Sequence, residues 1–230
     1  MSELSIPAVQ FKFRDAARRQ ESLLAPLERR CLRWLAHRLP VSVGPDHLTL
    51  LGFSALFLAG ASYAAAAWWP PALLAVNVWL AVNWFGDSLD GTVARLRNRQ
   101  RPRYGFYVDH MVDSFGALFL IGGMALSGHV SPAIAVALLV SFLLLSINSY
   151  LATYTRGTFH LSFWGFSPTE IRILLALGNI VAVWRPRVTV LGIQAHFFDV
   201  GGLVAVIAMA VVLIVSVAQN TRALYREERI

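Results

Sequence analysis

The sequence predicts an all-α integral membrane protein: six transmembrane helices preceded by an amphipathic interfacial helix, both termini cytosolic. Composition is the first of three observations behind that expectation. Of 230 residues, 57% are hydrophobic and only 14% charged, with mean hydropathy +0.57, whereas a soluble domain carries roughly 25% charged residues. Second, six apolar segments lie at 47–68, 71–94, 107–127, 132–154, 169–184 and 198–219, each near the roughly 20 residues that cross about 30 Å of hydrocarbon. Third, the basic residues are grouped. Eight precede residue 46, five lie between Arg95 and Arg103, and three between Arg222 and Arg229. Such grouping beside apolar segments is the positive-inside signal and attracts anionic headgroups. It argues against nucleic acid, since no interleaved aromatic reader accompanies it.

Along the chain, residues 8–39 place Phe11, Phe13, Leu23, Leu27, Leu32, Trp34 and Leu35 among Arg18, Arg19, Arg29, Arg30 and Arg33. Apolar positions at three and four spacing opposite a basic face describe a helix lying in the interface, broken at Pro40. The first residues lack the apolar core and cleavage site of a secretory signal, so they read as part of the mature chain. The lone Cys31 excludes an internal disulfide. Residues 1–44 therefore read as a cytosolic segment and 45–230 as one membrane domain. The separators WWPP (68–71), SGHVSP (127–132), WGFSP (164–168) and WRPRV (184–188) are interfacial punctuation. The connections between segments one and two and between three and four carry no Lys or Arg, which leaves Arg185 and Arg187 as a local exception to the scheme.

The chemistry concentrates at 87–113, DSLDGTVARLRNRQRPRYGFYVDHMVD. Its four carboxylates, Asp87, Asp90, Asp109 and Asp113, border apolar sequence, where an unpaired charge costs several kcal/mol. At 1.5 Å per residue Asp87 is about 24 Å and Asp109 about 28 Å from the same outer surface, so the two pairs match in depth. Spacings of three and four put each pair on one face of its helix. Two antiparallel helices joined by the arginine-rich loop would bring the pairs together, and hard divalent cations are their natural counter-ions. Mg²⁺ in particular combines a few carboxylates with phosphate oxygens, and two ions about 4 Å apart clamp a phosphate or diphosphate. Gly91 and Ala94 share the stripe of Asp87 and Asp90 and leave room for a ligand. Arg95, one turn on, can reach a diphosphate.

Asp87-x-x-Asp90-Gly91-x-x-Ala94-Arg95 followed by Gly105-x-x-x-Asp109-x-x-x-Asp113 resembles the signature of the CDP-alcohol phosphotransferases. Nine residues separate Arg95 from Gly105, one more than the common form, which disturbs neither helical pair. The resemblance implies six transmembrane helices, a cytosol-facing site and CMP as leaving group. It also implies Mg²⁺ or Mn²⁺, two ions, held by Asp87, Asp90, Asp109 and Asp113. Gly91, Ala94, Arg95 and Gly105 would line the CDP pocket, joined by Thr49 of the PDHLTL stretch, which is similar to the family's helix entry but has Asp46 where asparagine is usual. Asp113 is the implied general base. Asp109-His110-x-x-Asp113-Ser114 is similar to the choline and ethanolamine phosphotransferases, where His110 is the alternative base; a near-neutral imidazole suits proton removal. The implied partners are a CDP-linked donor, a lipid or small alcohol acceptor, membrane lipids and a second copy in a homodimer.

The reaction expected is transfer from CDP-choline or CDP-ethanolamine to a diacylglycerol-like lipid. Within the same chemistry, CDP-diacylglycerol and a soluble alcohol such as inositol, serine or glycerol phosphate form the alternative. A cation transporter and a non-catalytic scaffold are the readings of other classes; clustering of the acids at one interface disfavours the transporter. Outside the signature, Glu170 and Arg172 are either first-turn helix chemistry or substrate contacts. Arg156 is either a phosphate contact or a snorkelling headgroup partner. Asn83, Asn148 and Asn179 read as helix-joining hydrogen bonders.

Overall fold

The structure is a computed structural model and describes residues 17–19, 24–156, 158–160 and 167–228. Among the described residues are seven helices: α1 (Ala25–Arg38), α2 (Pro45–Ala65), α3 (Ala72–Leu96), α4 (Pro102–Leu126), α5 (Pro132–Arg156), α6 (Pro168–Trp184) and α7 (Phe197–Glu227). All six apolar segments are therefore helical, and the prolines punctuating them mark their starts. Pro45, Pro102, Pro132 and Pro168 each open a helix, where the missing N–H is one the first turn leaves unpaired anyway. Four helices, α2, α3, α5 and α7, are long and apolar enough to cross a membrane, so the chain is a helical integral membrane protein. The other two fall short for readable reasons. α6 has 17 residues, and the first half of α4 carries Arg103, Asp109, His110 and Asp113.

The expected helix over 8–39 is shorter than its pattern suggested. Residues 8–16 and 20–23 lie outside the described residues, as does loop 161–166. Ala17–Arg19 form a short strand, β1, paired in parallel with β2 (Thr158–His160), a correction to the helical reading there. The stretch RDAARRQES (14–22) offers no large apolar side chain to bury, so a helix would gain no face to pack. α1 turns Ala25, Glu28, Leu32 and Ala36 inward, while Leu27 and Trp34 are exposed.

A second departure is a hairpin, β3 (Arg187–Val190) with β4 (Ile193–His196), inside what read as a plain interfacial connection. Its turn places Leu191 at φ 50° and Gly192 at φ 80°, and a two-residue hairpin loop of this kind needs positive φ at both positions.

The membrane region is organised on α2, which packs along both α3 and α4. The crossings are backbone against backbone. A Cβ at Gly86 would meet the Leu48 carbonyl oxygen at 2.5 Å and the Gly52 nitrogen at 2.6 Å. A Cβ at Gly123 would run into the Gly60 carbonyl, and one at Gly60 into that of Phe119. Small residues let helices approach this closely where water supplies no hydrophobic drive. Two cores result. One, around Tyr63, Leu73, Val76, Met124 and Phe198, lies away from the acids; the other, of Leu32, Ala36, Leu48, Leu89 and Val93, fastens α1 to α2 and α3.

Candidate active site

Asp87 and Asp90 stand one turn apart on α3, just past the Gly52–Gly86 crossing. Arg172 of α6 donates from Nη2 to Asp87 Oδ2 at 2.5 Å and from Nε to Asn83 Oδ1 at 2.8 Å. Asn83 Nδ2 in turn donates to the Gly52 carbonyl at 3.0 Å, so a connected path runs from the α2 backbone to Asp87. Asp90 Oδ2 accepts from the Thr49 hydroxyl of α2 at 2.6 Å, and its Oδ1 accepts the Gly91 N–H at 2.5 Å. Across on α4, the His110 ring is buried between Phe106, centroids 4.1 Å apart, and Tyr150 of α5, at 4.5 Å. The Asp109 carboxylate approaches His110 Nδ1 at 3.8 Å. Asp113 lies within electrostatic range of Asp87, Asp90, Asp109 and Arg172. The four aspartates therefore share one end of the bundle. α2 packs on both helices that carry them, while α3 and α4 make no extensive contact with each other.

Around this cluster, Arg95 folds back along α3, its Nη2 3.3 Å from Thr92 Oγ1 and its guanidinium beside Gly91. A Cβ at Gly105 would meet nothing within 4 Å, so the glycine faces open space. Ala94 is half-buried on the same helix. A cavity of about 410 Å³ opens between residues 44–47 and 99–101. At its mouth Arg101 pairs with Asp46, both side chains about half exposed, and the carboxylate holds the Arg101 pKa above its ordinary value. Asp46 thus bridges the start of α2 to the loop before α4.

The candidate contacts outside the signature separate. Arg172 joins the acids. Glu170 completes a capping box with Ser167, accepting its N–H at 2.9 Å, and takes the Leu24 N–H at 3.1 Å; of its two readings, first-turn chemistry is the one present here. Arg156 donates to Asn220 Oδ1 at 2.8 Å and ties α5 to α7. Asn179 joins Tyr63 and Asn77 in a buried chain of hydrogen bonds, each 2.8 Å, and Asn148 reaches Ser216 of α7.

Two residues have roles that the sequence reading does not assign, Glu28 counting there only among the charged residues of the 8–39 helix. Glu28 of α1 is buried and its Oε1 accepts from Thr169 at 2.6 Å, the Trp84 indole at 2.9 Å and Ser88 at 3.5 Å. Its signal was legible, since Glu28 sits three residues after Ala25 and four before Leu32 on the apolar face of α1. Arg97 donates to the carbonyls of Leu39, Pro40, Val41 and Val43, at 2.6 to 3.4 Å, closing the turn between α1 and α2. Nothing local in the arginine-rich loop distinguishes it from its neighbours.

The donor chemistry suits a hard cation: carboxylate oxygens at one low-dielectric end, with a guanidinium already standing against one of them. Among the described residues, however, no three Asp, Glu, His or Cys side chains are gathered into a ready-made metal cage.

Comparison with known proteins places this geometry. Residues 43–219 match the family described as CDP-alcohol phosphatidyltransferase, a span that includes all four aspartates. The chain is 28% identical over 210 residues to cholinephosphotransferase 1 of Gallus gallus, covering 84% of this chain and 60% of that protein. It is 31% identical over 116 residues to archaetidylinositol phosphate synthase of Pyrococcus horikoshii, covering 50% of this chain and 55% of that one. The chain thus spans somewhat over half the length of these curated relatives. With the profile matching most of its length, the chain belongs to the CDP-alcohol phosphatidyltransferase family.

Proposed function

We propose that this protein transfers a phospho-alcohol group from a CDP-linked donor to a hydroxyl acceptor and releases CMP. The acceptor hydroxyl attacks the phosphorus that bears the alcohol, a new P–O bond forms, and the bond to the bridging diphosphate oxygen breaks, so that CMP leaves with that oxygen and its charge. The observation that carries this reading is the placement of Asp87 and Asp90 near the end of α3 and of Asp109 and Asp113 in the first half of α4, inside the span that matches the family, with Arg172 of α6 donating to Asp87. The aspartates would hold Mg²⁺ or Mn²⁺, as two ions, which when bound neutralise charge on the diphosphate and on leaving CMP. The chain's own groups do the rest. Thr49 fixes the Asp90 carboxylate, Gly91 and Gly105 leave space for the nucleotide, and Arg95 faces its phosphates. Asp113 takes the proton of the acceptor hydroxyl, with His110 the second candidate; the rings of Phe106 and Tyr150 hold that imidazole in place.

Six membrane-crossing helices, cytosolic termini and a cytosol-facing site accompany this proposal, with α4 and α6 crossing as short or partly polar members of the bundle. Their support is the distribution of arginine between the connections. α1 lies in the interface as a segment distinct from the membrane domain, and the enzyme works as a homodimer. CDP-choline or CDP-ethanolamine is the preferred donor and a diacylglycerol-like lipid the acceptor. The wider coverage of this chain by cholinephosphotransferase 1 favours that form over CDP-diacylglycerol with a soluble alcohol.

Purified protein in lipid with Mg²⁺ should convert one donor class into a lipid product detectable by mass spectrometry when CDP-choline, CDP-ethanolamine and CDP-diacylglycerol are each offered with matched acceptors. Phosphatidylcholine or phosphatidylethanolamine as product supports the preferred form. A phosphatidyl-alcohol made only from CDP-diacylglycerol reverses the choice of donor. His110→Gln with retained turnover leaves Asp113 as base.

A further inference from the structure

Arg172 enters the acidic site from α6 with its side chain 14% exposed, and its guanidinium lies 2.5 Å from Asp87 Oδ2. It is anchored from the opposite side. Its Nε is engaged by Asn83 Oδ1 at 2.8 Å, and Asn83 is itself fixed to the Gly52 carbonyl at 3.0 Å. The planar fork therefore points at the carboxylate from a rigid perch. A carboxylate in a poorly solvated region is costly unless a cation stands against it, and at Asp87 the protein supplies one from its own chain. A divalent ion arriving at Asp87 would meet that guanidinium, and like charges a few ångströms apart are costly there.

We propose that Arg172 is a built-in counter-cation for Asp87 that competes with the divalent ion, so that metal binding requires the guanidinium to give up Asp87 Oδ2 while Asn83 retains it. The inference rests on the reading of the aspartates as metal ligands. Its consequence is an enzyme whose acids stay assembled when empty and whose metal affinity is deliberately moderate. Arg172 is in these terms a positioning residue, acting through Asp87.

The test is a Mn²⁺ titration of the purified 230-residue chain in lipid, without nucleotide, followed by the electron paramagnetic resonance of free Mn²⁺. Removing the competing charge with Arg172→Gln should tighten Mn²⁺ binding by roughly tenfold and lower the melting temperature of the metal-free protein, with added Mn²⁺ restoring it. Arg172→Lys keeps the charge but loses the fork, so it should tighten binding by roughly two- to fivefold; it also carries the test should the glutamine variant fail to fold. Asp87→Asn should weaken Mn²⁺ binding. Folded Arg172 variants that bind Mn²⁺ no more tightly than the parent overturn the competition, even though weakening by Asp87→Asn would leave the metal reading intact. Absence of Mn²⁺ binding in the parent and in both folded Arg172 variants overturns both.

Discussion

The two pairs of apolar spanning helices are built on different terms. In α2 and α3, 39% of the apolar window is buried within the protein, whereas in α5 and α7 the figure is 6%. The inner pair meets backbone to backbone at Gly52 and Gly86, immediately beside Asp87 and one turn from Asp90. The outer pair packs on itself and presents Val140, Leu144, Ile207 and Ile214 outward, where lipid would cover them. The lesson is about tolerance. Backbones in contact fix the helix that carries Asp87 and Asp90, and the same contact leaves no room for change. Elements that need only be apolar and long can vary.

That contrast can be broken most forcefully at Gly86. Gly86→Leu puts a side chain into the α2 backbone, and we expect a loss of about 3 kcal/mol, the upper end of the usual cost of overpacking, read as failure to give a monodisperse, helical species after detergent extraction. A weaker test lies at the junction of α1, α3 and α6. Glu28→Ala strands the Thr169 hydroxyl and Trp84 indole N–H, at a cost of about 1–3 kcal/mol, while Glu28→Gln keeps an acceptor and should lose less; thermal melts in one detergent would rank them. At the small end, Ile214→Ala on the outer face of α7 should change stability by no more than about 0.5 kcal/mol. A shift at Ile214 comparable to that at Glu28 would erase the distinction between the two pairs.

Much of this was legible in the sequence. Apolar length and proline punctuation located six helices, four of them to within about three residues, because in lipid a lone backbone segment satisfies its polar groups as a helix; α4 starts five residues earlier and α7 ends eight residues later than expected. The spacing of three and four within the acidic pairs likewise forecast which carboxylates share a face. What was not legible came from contacts distant in sequence. In the sequence Arg172 stands between first-turn chemistry and a substrate contact because its partners, Asn83 and Asp87, lie 89 and 85 residues away. The hairpin at 187–196 was hidden because its turn carries leucine rather than asparagine or aspartate at a positive φ. Residues 17–19 read as helix because the apolar pattern on either side was extended across a stretch with nothing to bury.

The central claim is that the four aspartates carry phospho-alcohol transfer, and CMP release tests it most directly. Purified parent protein and Asp113→Asn, matched in melting temperature, would be given Mg²⁺, a CDP-linked donor and acceptor lipid, with CMP followed by chromatography. The account predicts CMP from the parent with at least one of CDP-choline, CDP-ethanolamine and CDP-diacylglycerol, and a fall of at least about a hundredfold in the variant. Equal CMP release from both, or none from a folded parent with any of the three donors, would contradict it.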